Sequence, residues 1–408
     1  MVSKVPLDIF EIALTSVARY PWHNSLAFNP LSFIPCPPMT TTNGQFSPVR
    51  VFFLGSGRIG MPILEALRND PRIAVVGVGS QPPRPGKRGR MTPTNLGAKA
   101  KELGFEVWEC KNVNEPEFLQ RLQGLHIDLL VVVAFGQILR KDLLELPPFG
   151  CLNVHASLLP KYRGASPVEA AILNGDPTTG VAFMRMEAGL DTGPVYRTFV
   201  TEITLTDTTD CLKDRLGQVA SQHAAEVIWQ IVREGLPAIP QDDTLATKVG
   251  KIRTEAAALN NWDQDAAVID RMVRAYRTRP KAFLYLYMSN RKKLFRMQVL
   301  RTTVEPHQLQ PGEIPGTILP EAEDPAEQAA REKRGERRFS DEHQGIRVLC
   351  RNGVLKILWL CLEGQSETSG LSFLRGNTLG ASDILVGWQK HLELVEAEAT
   401  KTNAEESQ

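Results

Sequence analysis

The chain alternates between unbroken apolar runs and amphipathic stretches. Val49-Arg-Val-Phe-Phe-Leu54, Ile73-Ala-Val-Val-Gly-Val78 and Leu129-Leu-Val-Val-Val-Ala134 are short runs with little polar alternation, as strands buried on both faces of a parallel sheet require. Between them, helical spacing predicts helices over 59–69, 94–103, 115–122 and 139–146, the last stopped by Pro147-Pro148. Residues 106–108 read as a short strand, and Cys151-Leu-Asn-Val-His155 as a strand running into a loop. Strands alternating with helices imply an α/β fold with a Rossmann-like, mostly parallel sheet. A helix over 165–174, strands over 179–186 and 195–203, and a long amphipathic helix over 207–233 complete this part, with Thr208-Thr209 near the N-cap of the last.

The pattern then changes. After a linker over 241–263 and a helix over 264–277, the chain becomes short strands: 283–287, 294–300, 316–319, 346–350 and 354–361. Arg351-Asn-Gly353 supplies a hairpin turn. This predicts a small C-terminal β-barrel of the OB-like kind. The expected organisation is an N-terminal extension over 1–48, a sheet domain over 49–240, the linker, the barrel domain over 264–390 and a disordered tail over 391–408. The charged stretch 321–342 reads as an exposed insertion. The extension is broken by Pro21, Pro30, Pro35, Pro37 and Pro38, while Asp8 and Glu11 argue against a basic transit peptide. Met39 opens a polar stretch just before the first strand, so residues 1–38 are either a misassigned extension or a disordered leader.

Composition narrows the function classes. A net charge of +1 gives no global field that would pull the protein onto nucleic acid, so an RNA partner must be held by local basic patches. The six cysteines are scattered without metal spacing, which fits free thiols in a reducing compartment and predicts no metal. No apolar run approaches the ~20 residues needed to span a bilayer. A monomer in a bacterial-type cytoplasm is expected, or an organellar protein if the extension is real.

Gly55-Ser-Gly57-Arg-Ile-Gly60 follows a strand and precedes a helix, the context of a dinucleotide-binding turn. The second strand ends Val78-Gly79-Ser80, however, with no acidic residue for a ribose hydroxyl. The competing explanation is a tight turn that needs glycine for close packing.

The informative block is 150–167. Asn153 and His155 stand two apart in one strand and so share a face, at the strand end where open α/β sheets bind ligands. An amide and an imidazole there offer a donor for a developing oxyanion and a proton acceptor. Asp191, in Gly189-Leu-Asp-Thr-Gly193, sits on a glycine-flanked loop able to fold back onto them. The same residues also suit a structural histidine and a simple turn. An aspartic-protease reading of Asp191-Thr-Gly193 wants a second such motif, and the chain has one.

The run Asn153-Val-His155-Ala-Ser157-Leu-Leu-Pro160, then Tyr162-Arg-Gly164 and Pro167, then Gly189-Leu-Asp191-Thr-Gly193 closely resembles the folate-dependent formyltransferase family. The resemblance implies 10-formyltetrahydrofolate as formyl donor and places the catalytic residues on Asn153, His155 and Asp191. It places folate contacts on Ser157, Leu158, Leu159 and Pro160, and on Gln137, Ile138 and Leu139 after the third long strand.

Two features bear on the acceptor. Gln81-Pro-Pro-Arg84-Pro-Gly-Lys87-Arg88-Gly-Arg90 resembles the basic loop that methionyl-tRNA formyltransferases push into the acceptor stem, which implies initiator methionyl-tRNA as partner and Arg84, Lys87, Arg88 and Arg90 as tRNA contacts. The C-terminal domain carries Arg271, Arg274, Arg277, Arg279, Lys281, Arg291, Lys292, Lys293 and Arg296 among Tyr276, Tyr285 and Tyr287, either an RNA-binding face or a solvated face over core tyrosines. The linker segment Ala246-Thr-Lys248-Val-Gly-Lys251-Ile, ending at Trp262, resembles the family too. Departures are Asn261 before that tryptophan, Arg279-Pro280 in place of a Trp-Pro pair, and the 321–342 insertion. The alternatives are the same chemistry on an amino sugar nucleotide, and a non-catalytic RNA- or folate-binding relative.

Overall fold

A computed structural model describes residues 47–86, 89–319, 344–377, 379 and 384–386. The expectations for the N-terminal extension, Lys87, Arg88, the 321–342 insertion and the tail lie outside the described residues.

The first sheet has seven strands: β1 (Val49–Gly55), β2 (Ile73–Ser80), β3 (Val107–Glu109), β4 (Leu129–Val133), β5 (Cys151–His155), β6 (Thr178–Arg185) and β7 (Val195–Glu202). Their order is β7-β6-β5-β4-β1-β2-β3. From β5 to β3 every pairing is parallel, and β6 and β7 add an antiparallel edge. Both faces are covered. Val49, Val51 and Phe53 of β1 point into one core with Ile63, Leu64 and Leu67 of α1 (Gly60–Asn69). Phe52 and Leu54 point the other way, with Leu122 of α3 (Pro116–Gln123) and Leu143 of α4 (Lys141–Leu144). That double burial is why the strand sequences lack alternation, and each fully buried Phe or Leu contributes about 1.5–3 kcal/mol. Between them runs α2 (Asn95–Glu102), capped by the Thr94 hydroxyl. Beyond β5 come α5 (Pro167–Asn174) and α6 (Thr209–Trp229), the latter capped by Thr208 and continued by a π-helical turn over Gln230–Glu234.

The glycines of the 55–60 turn serve packing. A Cβ on Gly55 would lie 2.7 Å from Leu96 Cδ2 and 2.9 Å from the Val133 carbonyl, and one on Gly57 3.0 Å from Ala134 Cβ. The space beside these two glycines is filled by the protein's own atoms.

The second sheet follows α7 (Ala266–Ala275). It contains β8 (Phe283–Met288), β9 (Lys293–Gln308), β10 (Ile318–Leu319), β11 (Ile346–Leu349), β12 (Asn352–Leu362), β13 (Thr368–Ser369) and β14 (Ile384–Val386). The order is β10-β11-β12-β9-β8-β14, with β13 on β12, all antiparallel. It curls as a half-barrel of the OB-like kind. Register shifts at 299–301, 301–302 and 305–308 along β9 provide the bends. Gly353, at φ 87°, makes the β11–β12 turn. α8 (Gly370–Gly376), capped by Ser369, was not foreseen in the sequence.

The two sheets share one apolar core that runs from Val49 to Leu385. Thr209 Oγ donates to the Ala275 carbonyl at 2.7 Å, and an Arg274 N–H donates to the Asp207 carbonyl at 2.9 Å. Among the described residues no helix is long and apolar enough to cross a membrane.

Candidate active site

Asn153 and His155 stand at the C-terminal end of β5, on one face, as their spacing requires. Asp191 comes to them on the loop between β6 and β7. Its φ is 55°, in the left-handed region that a non-glycine residue occupies at a cost. Gly193 explains how the loop fits: a Cβ there would lie 1.9 Å from the Arg185 carbonyl. Gln241 secures the loop from outside, with its amide nitrogen 2.9 Å from the Asp191 carbonyl and 2.7 Å from that of Gly193. Arg163, only 4% exposed, donates to Gln241 Oε1 at 3.0 Å and to Asp243 at 2.8 Å.

The Asp191 carboxylate is the hub. Oδ1 accepts from Asn153 Nδ2 at 3.3 Å, and Oδ2 accepts from the Gly164 N–H at 2.8 Å. His155 is buried, with Nδ1 3.6 Å from Asp191 Oδ2 and Nε2 2.9 Å from the Tyr162 carbonyl. The Asp191 separation exceeds hydrogen-bond length, so it is Tyr162 that orients the ring. The arrangement offers an amide with a second hydrogen to donate, an imidazole nitrogen and a carboxylate, all within a few ångströms.

The expected folate residues flank this site but differ in availability. Ser157 is buried and donates to the Lys161 carbonyl at 2.6 Å. Leu158 packs over β6, where its Cδ2 lies 2.5 Å from the position a Cβ on Gly180 would take. Leu159 and Pro160 are half-buried. Gln137 spends its amide on structure: Oε1 accepts from the Val113 N–H at 3.0 Å and Nε2 donates to the Cys110 carbonyl at 2.9 Å. Its neighbour Ile138 is 82% exposed, while Leu139 is buried. This segment follows β4 on the same sheet edge as Asn153 and His155.

Arg84 and Arg90 are exposed on a loop that leaves β2 at that edge; Gln81 at its base donates to the Phe135 carbonyl at 3.3 Å. A two-residue ladder pairs Arg84 with Thr92 and Pro85 with Met91. The C-terminal basic residues divide. Arg274 pairs with Asp270, Lys281 with Glu367, and Arg296 lies 4.1 Å over the Phe283 ring. Tyr276 and Tyr285 belong to the core. Arg277 and Arg301, without a carboxylate partner among the described residues, line a cleft of 910 Å³ between the two sheets with Asp176 and Trp359. That cleft does not include Asn153, His155 or Asp191.

Tyr162, Arg163 and Thr247 stand in motifs quoted from the sequence but had no role assigned to them there, and Gln241 was not singled out at all. Tyr162-Arg-Gly164 and Ala246-Thr-Lys248 carry the family resemblance, and that was the available signal; bonds that end on main-chain atoms of distant residues leave no other trace in the sequence.

A Rossmann-like sheet with an amide, an imidazole and a carboxylate at its C-terminal edge, followed by an antiparallel half-barrel, is the arrangement that the formyltransferase resemblance leads one to expect. The chain matches the formyl transferase family over residues 49–228 and that family's C-terminal domain over 251–378. It is 32% identical to a methionyl-tRNA formyltransferase of Methylacidiphilum infernorum over 83% of this chain and 98% of that protein. It is 38% identical to one of Cereibacter sphaeroides over 81% and 97%. The chain therefore belongs to the methionyl-tRNA formyltransferases of the formyl transferase family. In fold it is similar to an N-formyltransferase of Helicobacter canadensis crystallised with folinic acid and dTDP-3-aminofucose, with TM-score 0.50 and 16% identity over 76% of this chain and 99% of that one.

Proposed function

We propose that the chain transfers a formyl group from 10-formyltetrahydrofolate to the α-amine of initiator methionyl-tRNA, giving N-formylmethionyl-tRNA for translation initiation. The observation that carries this reading is the convergence of Asn153, His155 and Asp191 at one strand end in a chain of this family. The donor supplies an electrophilic formyl carbon and departs as an amine. The residues present fit it: the exposed Ile138 side chain offers an apolar surface for a flat ring, and the half-buried Leu158, Leu159 and Pro160 lie a few residues beyond His155. Gln137 contributes through its main chain, because its side chain is committed elsewhere.

The α-amine has an ordinary pKa of about 8, which leaves a usable neutral fraction near neutrality. As it attacks, negative charge builds on the formyl oxygen. The second Nδ2 hydrogen of Asn153 meets that charge, worth about 3–4 kcal/mol for a well-placed donor. His155 Nδ1 takes the proton that the amine loses as its bond to the formyl carbon forms. It returns that proton, directly or through water, to the folate nitrogen as the old C–N bond breaks, so the donor departs as a neutral amine. Asp191 Oδ2, 3.6 Å from Nδ1, steadies the imidazolium in between. Asp191 also holds the Asn153 amide in place.

Arg84, Lys87, Arg88 and Arg90 engage the tRNA from the basic loop, and the cleft with Arg277 and Arg301 supplies a second phosphate-binding surface. The proposed setting is a monomer in a reducing cytosol, with the sheet domain over 49–240 and the RNA-binding domain over 264–390.

The test is a transfer assay with 10-formyltetrahydrofolate, offering charged initiator methionyl-tRNA and, separately, an amino sugar nucleotide. Formylmethionyl-tRNA is the expected product; product from the sugar alone would overturn the acceptor, and none from either would overturn the activity.

A further inference from the structure

A neutral imidazole carries its proton on one nitrogen, and here the surroundings decide which. His155 Nε2 lies 2.9 Å from the Tyr162 carbonyl oxygen. A carbonyl only accepts, so the proton sits on Nε2. Nδ1 is left as the basic nitrogen, facing Asp191 Oδ2 at 3.6 Å. The direction of a main-chain carbonyl therefore sets which nitrogen can do proton work.

That carbonyl is braced from several sides. Tyr162 has φ 59°, a conformation its bulky side chain disfavours and the surroundings must impose. Its N–H donates to Thr247 Oγ1 at 2.7 Å. Its phenol donates to Asp176 at 2.7 Å and accepts from Asn174 Nδ2 at 2.9 Å. Thr247 also accepts from the Arg163 N–H through its own carbonyl at 2.8 Å, and the Ala165 N–H donates to the Val249 carbonyl at 2.9 Å. Lys248 and Val249 pair with Arg163 and Gly164 as a two-residue parallel ladder. A Cβ on Gly164 would lie 2.1 Å from the Val249 carbonyl, so this approach needs glycine. The Gly164 N–H in turn holds Asp191. One short stretch of the connection between the two sheets thus supports the main chain whose 162 carbonyl holds His155 and whose 164 amide holds Asp191.

We propose that Thr247 is a positioning residue for His155: its hydroxyl holds the Tyr162 N–H, its carbonyl holds the Arg163 N–H of the peptide that carries the Tyr162 carbonyl, and by fixing the chain on both sides of Tyr162 it makes Nδ1 the nitrogen that handles the proton during formyl transfer. The proposal rests on the site reading above for its catalytic consequence, while the choice of tautomer stands on the geometry alone.

The experiment compares the full-length protein with Thr247→Val and Thr247→Ser, by nitrogen NMR of ring-labelled histidine and by steady-state kinetics. In the parent protein the His155 signal, assigned by its loss in His155→Gln, should be that of the Nε2-protonated ring. Thr247→Val should lose that single tautomer and drop kcat about tenfold to a hundredfold, the range for an ångström-scale misplacement, with KM for both substrates nearly constant. Thr247→Ser, which keeps the hydroxyl, should recover most of the rate and the tautomer. A parent ring protonated on Nδ1 would overturn the proposal even if Thr247→Val fails to fold. So would a folded Thr247→Val with the parent tautomer and kcat. A parent protein that shows the Nε2-protonated ring, loses it in Thr247→Val, yet formylates neither acceptor would support the positioning role and overturn the functional reading instead.

Discussion

Two glycine-rich turns sit in the same sheet domain, and their sequences point the wrong way round. Gly55-Ser-Gly57-Arg-Ile-Gly60 has the spacing of a nucleotide cradle, yet Leu96, the Val133 carbonyl and Ala134 occupy the space beside Gly55 and Gly57. Gly189-Leu-Asp-Thr-Gly193 has an ordinary turn sequence, yet it presents a carboxylate in a left-handed conformation to an amide and an imidazole. In the first turn glycine lets the protein approach itself. In the second it lets a polar group stand beside Asn153 and His155. A spacing pattern does not tell these two uses apart; what fills the space left by the missing Cβ does.

The contrast can be broken most strongly at the polar end. Asn153→Ala, His155→Ala or Asp191→Ala should each lower kcat by a factor on the order of 10²–10³ with the far-ultraviolet dichroism spectrum intact. Normal turnover in any of them would remove that residue from the machinery. Gly193→Ala comes next, because its Cβ would sit 1.9 Å from the Arg185 carbonyl and the loop must move. The shift carries Asp191 with it, and a rate loss of about tenfold to a hundredfold is expected, read in single-turnover transfer. Gly55→Ala should show the opposite profile: about 1–3 kcal/mol less stability from overpacking against Leu96 and Val133, measured by denaturant unfolding, with kcat/KM changed less than about threefold.

The smallest effect concerns the core on the sheet face that carries Phe52 and Leu54. Burial pushes the Cys110 thiol up to about 11 and the Cys151 thiol up to about 12, so at mildly alkaline pH both remain protonated and unreactive. An alkylating reagent should label exposed Cys211 first and reach Cys110 and Cys151 only through local opening. Their labelling should quicken modestly in Gly55→Ala, and mass spectrometry of timed digests would show it. Equal rates at all three cysteines in the parent protein would contradict the packing described for this face.

The legible parts of the fold were those dictated by local pattern. Strand β5 spans 151–155 as read, because a short run between turn signals leaves little freedom. Strand β9 was expected over 294–300 and continues to Gln308; its second half, Arg301-Thr-Thr-Val-Glu-Pro-His-Gln308, owes its strand character to pairing with β12, a partner far along the chain. The helix expected over 139–146 contracts to Lys141–Leu144, because residues before it serve as a loop pinned by Asn114, which donates to the Ile138 carbonyl and accepts from the Arg140 N–H. In the site, Asn153, His155 and Asp191 were readable as residue types. The carbonyl of Tyr162 and the brace from Thr247 were not, since every residue has a carbonyl and only three-dimensional placement gives one of them a job.

The continuous core joining the two sheets has a thermodynamic meaning. Ala257, Ala258, Leu259 and Trp262 of the connection are buried, and α5 and α7 lie against each other across the junction. Cutting the chain after Pro240 would bare this apolar seam and strip away the Thr247 hydroxyl together with its ladder. The halves are coupled parts of one melting unit, so calorimetry should record a single endotherm, and an amino-terminal fragment would be a disarmed, aggregation-prone remnant in place of a smaller enzyme.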